Sequence, residues 1–436
     1  MSNLKLGFAK VDFTPQGPVW LNRSDYATII KEPLYANCIA WQEGDLTVLQ
    51  FSLDLRNIYD KFYNMVWDAV QKATGLPKKQ IIIAVSHNHS APDIALFDKE
   101  ENAEWIEKIG IPKICEAGCA ALEDLTEVTG AVKGRAITEK VAFVRRYFRK
   151  DGSLADVVSP PTESPLVCHE TQADPELRVV RFDRKDKKGV LLVNFQSHAA
   201  HEQAIHHDYI GSDFVEYMRR TVEEKENLHT FYCQGACGNV NTFTCLEEEM
   251  KGWPEEHWLV GELVGKSVLE ALENATPLTL GQLKLYSGEL ECHVNHSKSH
   301  LAEIAQKIKD ETDGKKRFEM LTEAGISNLY EVTAILNRAT FPKKRMMPLS
   351  SLVCGEFAQG FAPVELFDTC GKQFRDASPY DMTFFCGYAL GSHSYMPSAI
   401  AFANEGYEVL QCHYVPGTGE MIALELNRQL SELKKK

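Results

Sequence analysis

Hydrophobic and polar positions along the chain switch repeatedly between a strand-like and a helix-like period, which predicts a layered α/β protein. The stretch CIAWQEGDLTVLQFSLD (38–54) reads as two strands around a turn at Glu43, Gly44 and Asp45. DKFYNMVWDAVQKATG (60–75) carries apolar residues at helical spacing and closes on Gly75, a residue suited to the left-handed turn that ends a helix. QIIIAVSHNHS (80–90) is a buried strand, and 101–125 is a helix interrupted near Gly110 and Pro112.

From 126 to 195 the pattern turns to strands and loops. GAVKGRAI and VAFVRRYF read as strands, and 177–198 as a hairpin around 186–189. The Gly/Ser/Pro-rich stretch at 149–165 is too long for a simple turn and is a candidate functional loop. A helix follows at 212–226, with Ser212 or Asp213 as its cap and Glu216 spaced for a capping box. HTFYCQGACGNVN (229–241) is a strand running into a glycine-containing loop. The charged, amphipathic segment 297–341, broken near Asp313 and Gly314, predicts a helical insertion over about 297–345. Strand–helix alternation resumes over 350–436, and no internal repeat is visible. The predicted architecture is a layered mixed sheet with flanking helices, one large domain over 1–436.

Charge narrows the partners. The net charge is −14, and the basic runs are only PKKR (342–345) and the KKK tail, so nucleic acid, which needs a clustered positive face, is excluded. No apolar run approaches the roughly 20 residues that span a bilayer. The N-terminal MSNLKLGFAKVDFTP lacks the apolar centre of a signal peptide, so a cytoplasmic location is expected. Twelve cysteines without a CxxC pair read as reduced thiols rather than a structural zinc module. The expected partner is a small-molecule substrate, and the pattern leaves the oligomeric state open.

Candidate chemistry collects where apolar runs end. His87 and His89 follow IIIAV, and His198 and His201 follow LLVNF. Gln234, Asn239 and Asn241 follow TFYC, Glu365 follows FAPV, and His393 and Tyr395 follow FFCGYALGS. Layered α/β folds gather their sites at strand ends. If the strand continues past Val85, His87 and His89 point to one face. The plainer reading is a set of hydrogen-bonded core histidines and a surface Glu365; a buried Glu365 must be paired or ligated. Two imidazoles from separate strands, a carboxylate and a phenol suffice for a catalytic zinc ion with room for water. A further histidine beside it can carry a proton to a leaving amine. A mixed nitrogen–oxygen set also accepts other divalent ions. His201 and His393 are candidates to line a polar pocket.

The order GFAKVDFTP, EPLYANCIAW, LDLRN, VSHNHSAPD, VRRY, DPELRVVRF, FQSHAAH, GSDFVEYM, CQGACGNVN resembles the catalytic domain of the neutral/alkaline non-lysosomal ceramidases and their bacterial relatives. The resemblance runs from about residue 6 to about 245 and resumes loosely over about 350–430. It implies a zinc-dependent amidohydrolase with His87, His198, Glu365 and Tyr395 as metal ligands. It implies His89 as the catalytic histidine, Tyr395 also as an oxyanion stabiliser, and Arg145 as the substrate-site arginine, with Arg146 its near alternative. Asp213 falls where the family has a loop aspartate. The sequence departs from the pattern at Val144, where the family has asparagine, and at Ala91, where it has glycine. It ends at LELNRQLSELKKK, about where the family's catalytic domain gives way to an immunoglobulin-like domain. The expectation is therefore hydrolysis of a linear amide in a small polar substrate. The alternatives are a lactone or ester on the same metal, a true N-acylsphingosine substrate, and a non-catalytic metal-binding relative.

Overall fold

The computed structural model describes residues 3–156, 159 and 162–435. Residues 157, 158, 160 and 161 of the candidate loop at 149–165 lie outside the described residues.

The first half of the chain runs β1 (Lys5–Asp12), β2 (Tyr35–Glu43), β3 (Leu46–Leu53), α1 (Asp60–Thr74), β4 (Ile81–Val85) and α2 (Ile111–Glu123). Gly75 ends α1 at φ +74°, and Gly44 turns the β2–β3 hairpin, both as the sequence predicts. The next segment repeats the same order with β5 (Thr126–Ile137), β6 (Glu176–Arg184), β7 (Lys187–Phe195), α3 (Asp213–Glu223), β8 (Leu228–Gln234) and α4 (His257–Glu273). In each half, antiparallel strands end in a helical crossover to a parallel edge strand, β3 to β4 and β7 to β8. The halves join through β1 and β5 into one sheet ordered β8–β7–β6–β5–β1–β2–β3–β4, with the short strand Thr276–Pro277 added to β5.

This repeat of topology, absent from the sequence pattern, leaves its mark at two glycines. A Cβ added to Gly7 of β1 would lie 1.9 Å from the Ala121 carbonyl oxygen of α2. One added to Gly134 of β5 would lie 2.0 Å from the Ala271 carbonyl oxygen of α4. Each helix backbone therefore rests directly on its strand. The halves are further tied by the bidentate pair of Asp54 and Arg219, fully buried, at 2.8 and 2.9 Å.

A second sheet of β9 (Leu283–His293), β10 (Lys344–Cys354), β11 (Phe357–Phe361) and β12 (Met382–Cys386) packs on the first. Trp41, Phe182, Phe357 and Phe384 fill the space between the sheets. There Gln50 and Gln359 exchange amide hydrogen bonds of 2.9 and 3.1 Å. Between β9 and β10, the predicted insertion forms α5 (Ala302–Asp310), α6 (Gly314–Ala324) and α7 (Leu329–Thr340), with its own core of Ala305, Ile308, Val332 and Ile335. Helices α8 (Asp368–Asp376) and α9 (Thr418–Lys435) pack with a further apolar cluster that includes Phe374, Phe385 and Leu426.

The segment after β12 bonds to both edge strands of the large sheet. Gly387 N–H donates to the Gln234 carbonyl at the end of β8, while Leu390 N–H donates to Ile83 and Val85 N–H to Tyr388 along β4. An exposed strand edge invites pairing with other chains, and this segment takes up positions at the end of each.

Local expectations differ in three places. VAFVRRYF is two short strands, Phe143–Val144 and Tyr147–Arg149, with Arg145 and Arg146 between them. The break in the 101–125 helix is a π-helical turn at Ile106–Gly110. The capping box on α3 does not form: Ser212 donates to the Pro33 carbonyl, and Glu216 binds Lys10 and Arg220. All twelve cysteines are free, and among the described residues no helix is long and apolar enough to cross a membrane.

Gly7→Ala and Gly134→Ala are each expected to lower stability by about 1–3 kcal/mol through overpacking. Gly17→Ala, whose added Cβ meets nothing within 4 Å, is expected to stay within about 0.5 kcal/mol of the parent in urea denaturation.

Candidate active site

The ends of β4, β7 and β8 meet the turn after β11. The strand carrying IIIAV stops at Val85, so the two histidines do not share a face by strand alternation. His87 instead takes a left-handed φ of +58°, and this turn brings Nε2 of His89 to 3.3 Å from Nε2 of His87. His198 arrives from the turn after β7, its ring centroid 4.5 Å from that of His87. The three histidines each offer one nitrogen within 4.8 Å of the others. Glu365 enters on a two-residue strand paired in register with Tyr395. Its Oε2 lies 3.6 Å from Nε2 of His87 and 3.8 Å from Nε2 of His198.

Main-chain carbonyls fix two of the rings. Nδ1 of His87 is 2.7 Å from the Arg56 oxygen, and Nδ1 of His198 is 2.9 Å from the Val240 oxygen. A carbonyl only accepts, so each Nδ1 carries the hydrogen and each Nε2 keeps a lone pair, that of His198 within 3.3 Å of the Arg145 guanidinium. His89 has no main-chain clamp on its ring among the described residues and lines the pocket half-buried. Burial pulls all three imidazoles below their ordinary range, His87 to about 3, helped by the cations Arg56 and Arg145. They are neutral at neutral pH, as metal binding requires.

Burial raises Glu365 to about 7, opposed by Arg145, Tyr395 and Tyr388. Tyr388, which sequence reasoning did not single out, donates to Glu365 Oε2 at 3.2 Å and stacks on the His87 ring at 3.9 Å. The nitrogen–oxygen separations of 3.6 and 3.8 Å are too long for hydrogen bonds and of the size of a coordination-polyhedron edge. Neutral, lone-pair-presenting imidazoles facing a carboxylate fit a divalent ion.

Arg145 stands beside this cluster with every guanidinium nitrogen engaged. Nε donates to Glu408 at 2.8 Å, Nη1 reaches Asn241 and His198 at 3.3 Å, and Nη2 donates to the Gly238 carbonyl at 3.0 Å and the Tyr395 hydroxyl at 3.1 Å. Its geometry holds Tyr395. Three residues expected to contact substrate are not brought to the pocket. Arg146 turns away to Glu170, Glu408 and the Glu405 carbonyl. His201 bonds Thr242 and the Glu255 carbonyl and stacks on Trp253. His393 is 2.5 Å from the Tyr414 hydroxyl. Arg146 and His201 have their polar side-chain atoms taken by the protein itself, and His393 has its Nδ1 taken by Tyr414.

A cavity of about 540 Å³ opens beside His87, His89, Glu365 and Tyr395. Arg56, Tyr407, Gln411 and His413 line it, and the insertion and the start of β10 add Asn337, Phe341 and Arg345. Arg56 lies in the LDLRN stretch and Arg345 closes the PKKR run, but nothing in their spacing placed either at the site.

No family model matches the chain, and no curated protein matches it in sequence. Solved structures do. Neutral ceramidase from Pseudomonas aeruginosa superposes with a TM-score of 0.73 at 16% identity, over 100% of this chain and 75% of that one. A ceramidase complexed with C2 gives 0.72 at 15% identity, over 100% of this chain and 76% of that one. The chain has the ceramidase fold.

Glu408 is fully buried between Arg145 and Arg146 at 2.8 and 3.0 Å. Glu408→Ala leaves both cations short of a partner and is expected to cost about 3–5 kcal/mol in chemical denaturation.

Proposed function

We propose that this protein is a zinc-dependent hydrolase that cleaves a linear amide bond in a small polar substrate. The observation that carries the reading is the convergence of carbonyl-clamped His87 and His198 with half-buried Glu365 beside a polar pocket. These three side chains, with Tyr395, would hold the ion. Bound there, zinc supplies Lewis acidity toward the scissile carbonyl and lowers the pKa of water.

The protein's own groups account for the rest of the reaction. His89 touches the same point without a carbonyl clamp, so its ring is the one left to take a proton and pass it to the leaving amine. Tyr395, held by Arg145, offers its hydroxyl to the charge that develops on the carbonyl oxygen. Arg145 acts through Tyr395 rather than on the substrate. The pocket wall of Arg56, Asn337, Arg345, Gln411 and His413 supports a polar substrate. The two long hydrocarbon chains of an N-acylsphingosine require an apolar groove instead.

His87→Ala and His198→Ala are each expected to lose one equivalent of zinc and, with it, turnover. His89→Ala is expected to keep its zinc and lose about 10²–10⁴-fold in kcat. Metal analysis alongside a panel of short N-acyl amines and sugar lactones checks both points. Wild-type zinc content in both ligand variants sinks the ligand assignment, and turnover of lactones alone sinks the amide.

A further inference from the structure

Behind the HNHS loop lies a second buried group of titratable side chains that the proposed chemistry does not use. Glu32 comes from the loop before β2, Glu202 from the helical turn His201–Ile205, and His257 opens α4. All three are at most 2% exposed. One ligand atom from each lies within 4.8 Å of the others. His257 Nε2 stands 3.8 Å from Glu32 Oε1 and 3.7 Å from Glu202 Oε1, beyond hydrogen-bonding reach.

The polar atoms here are left without partners to an unusual degree. Among the described residues, both carboxylate oxygens of Glu202, Oε2 of Glu32 and both ring nitrogens of His257 make no hydrogen bond. Glu32 Oε1 accepts from the Tyr217 hydroxyl at 2.5 Å. Buried polar groups are almost always satisfied, and two carboxylates buried together need a counter-charge. Both carboxylates press on the backbone at Gly211, where an added Cβ would lie 2.3 Å from Glu32 Oε2 and 2.5 Å from Glu202 Oε2, so only glycine fits there.

We infer that Glu32, Glu202 and His257 form a second metal site, for a borderline divalent ion of the zinc or manganese class. One imidazole with two carboxylates suits such ions, whereas magnesium and calcium favour all-oxygen sets. Separations of 3.7–3.8 Å approach the edge of roughly 3.4 Å that tetrahedral ligands at about 2.0–2.1 Å subtend. The site is structural. It joins three segments distant in sequence, directly behind the histidine loop: Gly211 N–H donates to the Ser90 carbonyl, and Asn88 donates to the Gly211 carbonyl at 2.6 Å.

The test is independent of the catalytic reading. The protein is stripped with chelator, re-equilibrated with zinc or manganese, desalted, and its metal counted by mass spectrometry. The His87→Ala/His198→Ala variant disables the other cluster, and it is expected to retain one equivalent per chain. Adding Glu202→Gln and His257→Gln is expected to remove that equivalent. No metal on the double variant, or metal that survives the added substitutions, overturns the proposal. Should the quadruple variant fail to fold, melting of the double variant decides. A Tm that climbs with metal concentration and falls back with chelator supports the site, and a Tm unmoved by either ion overturns it.

Discussion

The site depends on how the large sheet deals with its two edges. A mixed sheet with a parallel strand at each end leaves two rows of unpaired main-chain groups, and here one short segment bonds to the end of each row. The hydrogen bonds from Gly387 to β8 and from Leu390 to β4 hold those edges at one place. Ser52 of β3 donates to the Tyr232 carbonyl of β8 at 2.7 Å, so the sheet has curled to bring them there. Everything chemical follows from that convergence. Tyr388 sits inside the covering segment and presses its ring on His87, and the turn carrying Glu365 is drawn over the ends of β7 and β8.

Holding this geometry costs local strain. His87, Asp213, Tyr388 and Ser394 all take positive φ without being glycine. Such residues cost roughly 1–3 kcal/mol each and persist where surrounding contacts over-determine them. At His87 the contacts are visible: the Arg56 carbonyl on one ring edge and the Tyr388 ring across its face. At Asp213 the carboxylate accepts from the backbone N–H of Glu202 and of its own neighbour Phe214. Buried charge is managed the same way, with Glu408 shared between Arg145 and Arg146 and Asp54 bidentate to Arg219.

Much of this was legible along the chain. Apolar periodicity located α1 with its Gly75 end and the helical insertion, which bury one face, and continuous apolar runs bounded by turn residues located the β2–β3 and β6–β7 hairpins, whose strands are buried on both faces. It put His87, His198 and Glu365 at the ends of apolar runs, and the fold brings those ends together. Periodicity did not show the repeated half, whose common feature is backbone path rather than side-chain pattern. It also misread the route by which His87 and His89 meet, since a left-handed residue interrupts the alternation that a two-residue spacing assumes. His201 and His393 stand out by residue type near a strand end and Arg146 through the resemblance, and neither signal reveals which neighbours claim their polar atoms. The lining by Asn337 and Arg345 was beyond reach for the opposite reason: an insertion's helices reveal their own core, not the cavity they cover.

The covering segment also orders the chain in time. Residues 387–390 are made after β4 and β8, to which they bond. Until they are in place those bonding positions on the two edge strands are open to pairing with other chains. The same order means that Glu365 and Tyr395, which follow His87 and His198 in the chain, complete the cluster only after those histidines are made.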